Sequence, residues 1–206
     1  MPRRCLLRAG GAGVVLCWKR PDSIGQVIPA IQLAHGISLR PSEVDDGGAL
    51  AAAHRRNRAY LQPWEPVRPD AFYEEDGQRV LLGQQVRDRE DGRSLPLVLV
   101  DAETVIGQVT LSGITHGAFE SAALGYWVDE RYQGRGVMTG ALNAVIEVCR
   151  SVLGLHRLEA QTLADNDASQ RVLHKIGFER IGYAPRYLRI AGQWQDHVLY
   201  QRILRD

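Results

Sequence analysis

The chain has 206 residues and a net charge of +1, with 45% apolar and 24% charged residues. That is the composition of an ordinary globular protein, long enough for one domain with a full core plus an appended segment. So balanced a charge gives no basis for bulk binding to nucleic acid or membrane, and no run approaches the roughly eighteen apolar residues of a membrane span.

Of 25 basic residues only Lys19 and Lys175 are lysine, which fits genome composition better than a function. Cys5, Cys17 and Cys149 lack metal-ligand spacing, and so sparse and odd a set suits a reducing compartment. Near the start, the short apolar patch 14–18 is followed by Lys19-Arg20 instead of a small-residue cleavage site. The expectation is therefore a cytoplasmic protein without a signal peptide.

Residues 1–35 read either as a leader or as an extension with a strand over 13–20, which puts the domain proper at 36–206. Ile37 to Pro41 alternates like a short strand ending at proline. A helix follows over about 46–59. Its exit, Asn57-Arg58-Ala59-Tyr60-Leu61-Gln62-Pro63-Trp64, carries two large aromatics that serve either as core plugs or as walls of a substrate entrance. A second helix is expected over 72–89, with Phe72, Val80, Leu81 and Val86 inside. Runs 95–100 and 105–111 form a hairpin across Asp101 to Thr104, and a turn over 112–119 leads into a strand ending at Val128.

Next comes Gln133-Gly134-Arg135-Gly136-Val137-Met138-Thr139, in front of a helix whose apolar face repeats at three- and four-residue steps to Val152 and closes at Gly154. Two glycines ahead of a helix N-terminus let backbone N–H groups gather on an anion, with phosphate the usual one, and Arg135 adds charge. The loop lacks the Gly-Lys-Ser/Thr of a P-loop. It also fails the dinucleotide fingerprint, whose third glycine would fall at Thr139. Beyond it, 156–162 alternates as a strand, Asp165-Asn166 can cap a short helix over about 168–176, and 183–190 with 195–202 form a closing hairpin across Ala191-Gly192. The crossover helix should join neighbouring parallel strands in an otherwise mostly antiparallel α+β sheet, with helices on both faces.

Several phrases in this order resemble the Gcn5-related N-acetyltransferases (GNAT), and within them the RimJ/RimL-type ribosomal-protein alanine N-acetyltransferases. They are the pattern 133–138, Asn57 to Trp64, Gly125-Tyr126-Trp127-Val128, Leu155 to Ala160, Asn166 to Ser169 with Lys175 to Phe178, and Gly192 to His197 with Tyr200. The resemblance covers roughly 37–205. The resemblance implies an acetyl-CoA-dependent enzyme without a metal, in which an amine attacks the thioester directly. The parallel strands would splay at Trp127-Val128 and free a main-chain N–H for the thioester carbonyl. Backbone donors of Gln133, Gly134, Arg135, Gly136, Val137, Met138 and Thr139 would hold the pyrophosphate, and Asn166 would both cap its helix and touch the coenzyme arm.

Ser169 is the candidate proton donor to the leaving thiolate. Many relatives use a tyrosine seven residues after the asparagine, but that position here is Leu173, and His174 is turned about 100° off that face. For the base, Glu159 could order a water; pairing with Arg157 is its structural alternative, and Gln161 stands where one branch has a glutamate. Trp194, Asp196 and His197 either line an acceptor pocket or stabilise the last hairpin. The expected acceptor is a protein N-terminal alanine or serine amine, whose pKa near 8 lies about two units below that of lysine, so it needs less help from a base. A small amine such as a polyamine, amino acid or antibiotic is the alternative acceptor, and an acyl-CoA-binding module without turnover the alternative class. Either a monomer or a homodimer is compatible with the sequence.

Overall fold

A computed structural model describes residues 4–9, 12–17 and 28–205. Arg4–Ala9 (β1) and Ala12–Cys17 (β2) pair as a separate antiparallel hairpin, so a strand does lie near the region read as 13–20. The main sheet has eight strands: Ile31–Gln32 (β3), Ile37–Pro41 (β4), Ser94–Asp101 (β5), Thr104–Thr115 (β6), Ser121–Val128 (β7), Arg157–Leu163 (β8), Glu179–Ile190 (β9) and Gln193–Ile203 (β10). Their spatial order is β3-β4-β5-β6-β7-β8-β10-β9, and every pairing is antiparallel except β7 with β8. The short β3 is the strand that sequence reading did not separate from the leader; two residues carry too little alternation to be seen.

Side-chain alternation divides the core in two. On β5, Leu95, Leu97 and Leu99 face one cluster, while Val98 and Val100 face the other, so the strand is buried on both sides. The first cluster is closed by helices α4 (Val137–Ser151) and α5 (Asp167–Lys175), through Met138, Leu142, Val145, Leu173 and Ile176. The second is closed by α1 (Gly47–Arg56) and α3 (Glu75–Glu90), through Leu50, Ala53 and Leu82. A single turn, α2 (Arg58–Leu61), follows α1.

The inside of α3 differs from expectation. Phe72 is buried, but in its own 3₁₀ turn over Asp70–Tyr73, and Val80 and Leu81 are exposed at 72% and 43%. The buried positions are Gln78 and Leu82, one helical turn apart, which rotates the face by about half a turn. The cause is close approach. A Cβ on Gly77 would overlap the carbonyl of Ala71, and one on Gly47 would stand 2.5 Å from Arg79, so glycines set how α1, α3 and the 3₁₀ turn pack. Gln78 also donates from Nε2 to the Phe72 carbonyl at 2.6 Å, which satisfies a polar group that hydrophobic pattern reading places outside.

Strands β7 and β8 stay in register only over Ser121↔Arg157, Ala122↔Leu158 and Ala123↔Glu159. Beyond that, β7 remains paired with β6 as far as Val128↔Gly107, and β8 with β10 as far as Leu163↔His197. The expected splay is present. It begins at Leu124, before Trp127-Val128, and leaves one edge of β7 unpaired along five residues. Among the described residues no helix is long and apolar enough to cross a membrane.

Candidate active site

A cleft of about 590 Å³ opens where β7 and β8 part. Its lining includes the backbone edge 125–128, the glycine loop, the first turns of α4 and α5, and, across from them, Tyr60, Leu61, Trp64, Glu65 and Arg68. At the loop, Gly134 and Gly136 have φ of +67° and +76° with open space where a side chain would stand. Only glycine adopts this conformation without strain. The first N–H of α4 to bond within the helix is that of Gly140, to the Gly136 carbonyl at 2.9 Å. The N–H groups of Val137, Met138 and Thr139 therefore precede the helical ladder and front the cleft, with the dipole's positive end behind them. Arg171 and Lys175, one turn apart on α5, add positive charge to the same cleft. This donor set suits a pyrophosphate.

The strand before the loop is held by a buried carboxylate. Asp129, its side chain 1% exposed, accepts from Arg56 Nε at 2.7 Å, Arg131 Nη2 at 2.9 Å and Asn57 Nδ2 at 3.1 Å. Burial alone would raise its pKa, but the hydrogen bonds from Arg131, Arg56 and Asn57 outweigh that and hold the carboxyl well below the usual range. Asn57 Oδ1 in turn accepts the Glu130 N–H at 3.0 Å, and Gln133 donates from Nε2 to the Tyr60 hydroxyl. The end of α1 and the turn after it thus clamp both ends of the approach to the glycine loop. Apart from Arg131, two residues from Asp129, none of these pairings was legible in sequence, because the partners lie 72 or 73 residues apart.

Asn166 caps α5 as expected, its Oδ1 accepting the Ser169 N–H at 3.0 Å. That places Ser169 in the first turn, on the cleft, with its Oγ 2.8 Å from the Tyr126 hydroxyl. Burial pushes Tyr126 up to about 12, so it stays protonated and can donate to Ser169, leaving the serine hydroxyl free to donate onward. The sequence assigns Tyr126 no catalytic role; the tyrosine-serine pair is a tertiary contact across the β7–α5 gap. Leu173 is fully buried and His174 exposed, and neither lines the cleft.

The remaining candidates divide. Trp127 and Val128 line the cleft, while the Trp127 indole packs on the other face of the sheet against the α1–α3 cluster, 4.8 Å from the His54 ring. Gln133, Gly134, Gly136, Val137, Met138 and Thr139 all line the cleft. Arg135 does not: its guanidinium lies 5.4 Å from the centroid of the Tyr132 ring, beside a second cavity that also touches His35, Asp101 and Val137. Glu159 is corrected. It lies outside the cleft lining, 3.7 Å from Arg157, at the last position where β7 and β8 are still paired. The strands open only beyond it, and neither Glu159 nor Gln161 lines the cleft. The last hairpin takes its structural role. Asp196 accepts from the Tyr183 hydroxyl and the Arg186 N–H, His197 is buried against the Gln195 carbonyl, and Trp194 is exposed. Tyr60 and Trp64 prove to be walls of the cleft.

Comparison with known proteins agrees with this geometry. Residues 37–179 match the family model described as an acetyltransferase (GNAT) domain. The [Ribosomal protein uS5]-alanine N-acetyltransferase of Escherichia coli is 36% identical over 156 residues, which is 75% of this chain and 80% of that one. The crystal structure of ribosomal-protein-S5-alanine acetyltransferase from Vibrio fischeri superposes with a TM-score of 0.83 at 34% identity, covering 87% of this chain and 98% of that one. Mycobacterium smegmatis RimJ, solved with a coenzyme A disulfide, gives 0.80 at 31% identity, covering 85% and 86%. Acetyl-CoA is accordingly the co-substrate. The chain belongs to the GNAT acetyltransferase family and is an acetyl-CoA-dependent N-acetyltransferase.

Proposed function

We propose that this enzyme acetylates the α-amine of a protein N-terminus beginning with alanine or serine, and that the protein is a ribosomal one met in the cytoplasm. The observation that carries the reading is the 36% identity to the uS5-alanine enzyme over three quarters of the chain. Physical chemistry supports it: an α-amine with a pKa near 8 is partly neutral at neutral pH and needs less help from a base than a lysine side chain does.

The chain's own groups divide the work. Main-chain amides of the glycine loop would hold the pyrophosphate. The unpaired edge of β7 and Asn166 would hold the pantetheine arm. A main-chain N–H of Trp127 or Val128 would stabilise the oxyanion, where preorganised donors count most. The Ser169 hydroxyl, backed by Tyr126, would supply the proton that the departing thiolate needs. Attack is direct. Cys149, buried on α4 with its thiol pushed up to about 12, is no nucleophile.

The test is thiol release from acetyl-CoA with short peptides that differ only in their first residue, set against polyamines and free amino acids. Faster turnover of the alanine and serine peptides is expected, with the acetyl group on the terminal nitrogen. Preference for a polyamine or amino acid would overturn the acceptor assignment.

A further inference from the structure

The acceptor side of the cleft carries one acidic group. Among the described residues that line it, Glu65 alone is a carboxylate, against Arg68, Arg171 and Lys175. Those latter two lie on α5 at the phosphate side; Arg68 lies on the same loop as Glu65, its Nε 3.5 Å from Oε2. The Glu65 side chain is only 17% exposed. The loop is fixed on both sides of it. Pro63 and Pro66 flank it in sequence, its carbonyl accepts the Ala191 N–H from the β9–β10 turn at 3.0 Å, and Val67 lies against Gly192 of that turn. Arg68 is anchored over the Phe72 ring, 4.5 Å from its centroid. A half-buried carboxylate with a single long ion pair, its loop held by main chain and the other charged groups of the cleft all cations, keeps acceptor capacity for an incoming ammonium.

We propose that Glu65 binds the ammonium of the acceptor and takes its first proton. The inference rests on the reading of the acceptor as an amine and deepens it. The acceptor arrives as an ammonium and gives one proton to the Glu65 carboxylate. The nitrogen lone pair then forms the C–N bond while the thioester C–S bond breaks. The nitrogen's second proton reaches the sulfur through the Ser169 hydroxyl or water, and Glu65 returns the first to solvent. One proton is released in all. This places the base on the loop after α2, not on β8 where Glu159 lies. Burial pushes the Glu65 carboxyl up, Arg68 pulls it back, and the net shift is upward, which narrows the gap to the amine it would serve. The other titratable or charged groups sharing the cleft are Tyr60, Tyr126, Tyr132, Arg68, Arg171 and Lys175. All but the tyrosines are cationic at neutral pH, and none of these cations can accept a proton there.

The experiment compares wild type with Glu65→Gln, which keeps shape and the backbone bond to Ala191. Readouts are kcat/KM for an alanine-first peptide between about pH 6 and pH 9.5, and the Kd of acetyl-CoA. The expected loss at pH 7 is about 100-fold, with unchanged coenzyme affinity. It should shrink as pH passes the acceptor's own pKa near 8, because the amine then arrives without its extra proton. Near-wild-type activity at pH 7, or a loss of the same size at every pH, overturns the assignment. Should wild type ignore peptides and acetylate a small primary amine, the proposed acceptor falls, and the same comparison with that amine still decides the role of Glu65.

Discussion

The two walls of the cleft are built from different materials. The wall proposed for the donor, formed by 125–128, the glycine loop, and the starts of α4 and α5, presents main chain: an unpaired strand edge, two left-handed glycines and the free amides of a helix. The acceptor wall, from Tyr60 to Arg68 with the β9–β10 turn behind it, presents side chains: two aromatics, a carboxylate and a guanidinium. Backbone donors recognise a ligand that never changes and tolerate drift in the residues around them. Side chains can be exchanged one at a time, so the acceptor wall is where specificity can move while the donor chemistry stays constant.

The comparison is broken most severely by removing what anchors the donor wall. Asp129→Ala strips Arg56, Arg131 and Asn57 of their common partner and should cost about 3 kcal/mol of stability in denaturant melts. Coenzyme affinity should fall with it, more than the peptide KM. Wild-type stability would show that the clamp is dispensable.

His54, 4% exposed beneath Trp127, tests the layer between the walls by pH. Burial, and then Arg68, push it down to about 4. The unfolded imidazole titrates near 6.5, so between these values the unfolded chain binds the extra proton. The stability is present in full above about pH 6.5 and is lost on acidification towards 4, by an amount on the order of 3 kcal/mol. His54→Leu should flatten that stretch of the stability curve, and an unchanged slope would contradict the buried neutral imidazole.

Ser169→Ala probes the junction of the walls. It should lower kcat about 100-fold while leaving coenzyme Kd nearly unchanged; equal losses in both would make the serine a pocket-shaping residue only. The smallest effect is expected at the loop itself. Gly134→Val forces a β-branched residue to φ near +67° and should weaken coenzyme binding about tenfold. Normal affinity would remove this loop from the assignment.

The same division explains what could be read from sequence. The donor wall is local: a strand, a five-residue link, two glycines and an amphipathic helix follow one another, so period and turn chemistry reveal it, and Asn166 and Ser169 sit one cap apart. The acceptor wall and its supports are not local. Glu65 meets the turn at Ala191, Asp129 meets Asn57, and Tyr126 meets Ser169, each across the sheet or a gap between elements. A period of two puts Glu159 on the same strand face as Gln161, which is correct for the strand but silent about where β7 and β8 separate. The face of α3 was misplaced because two glycine contacts and a satisfied buried Gln78 outweighed its hydrophobic pattern.

A crystal structure of the enzyme with acetyl-CoA bound tests the central claim most directly. The pyrophosphate is expected within hydrogen-bond reach of main-chain amides between Gly134 and Thr139, with the thioester carbonyl facing the N–H of Trp127 or Val128. A pyrophosphate seated instead in the cavity beside Arg135 and His35, or a coenzyme arm that never enters the gap between β7 and β8, would contradict it.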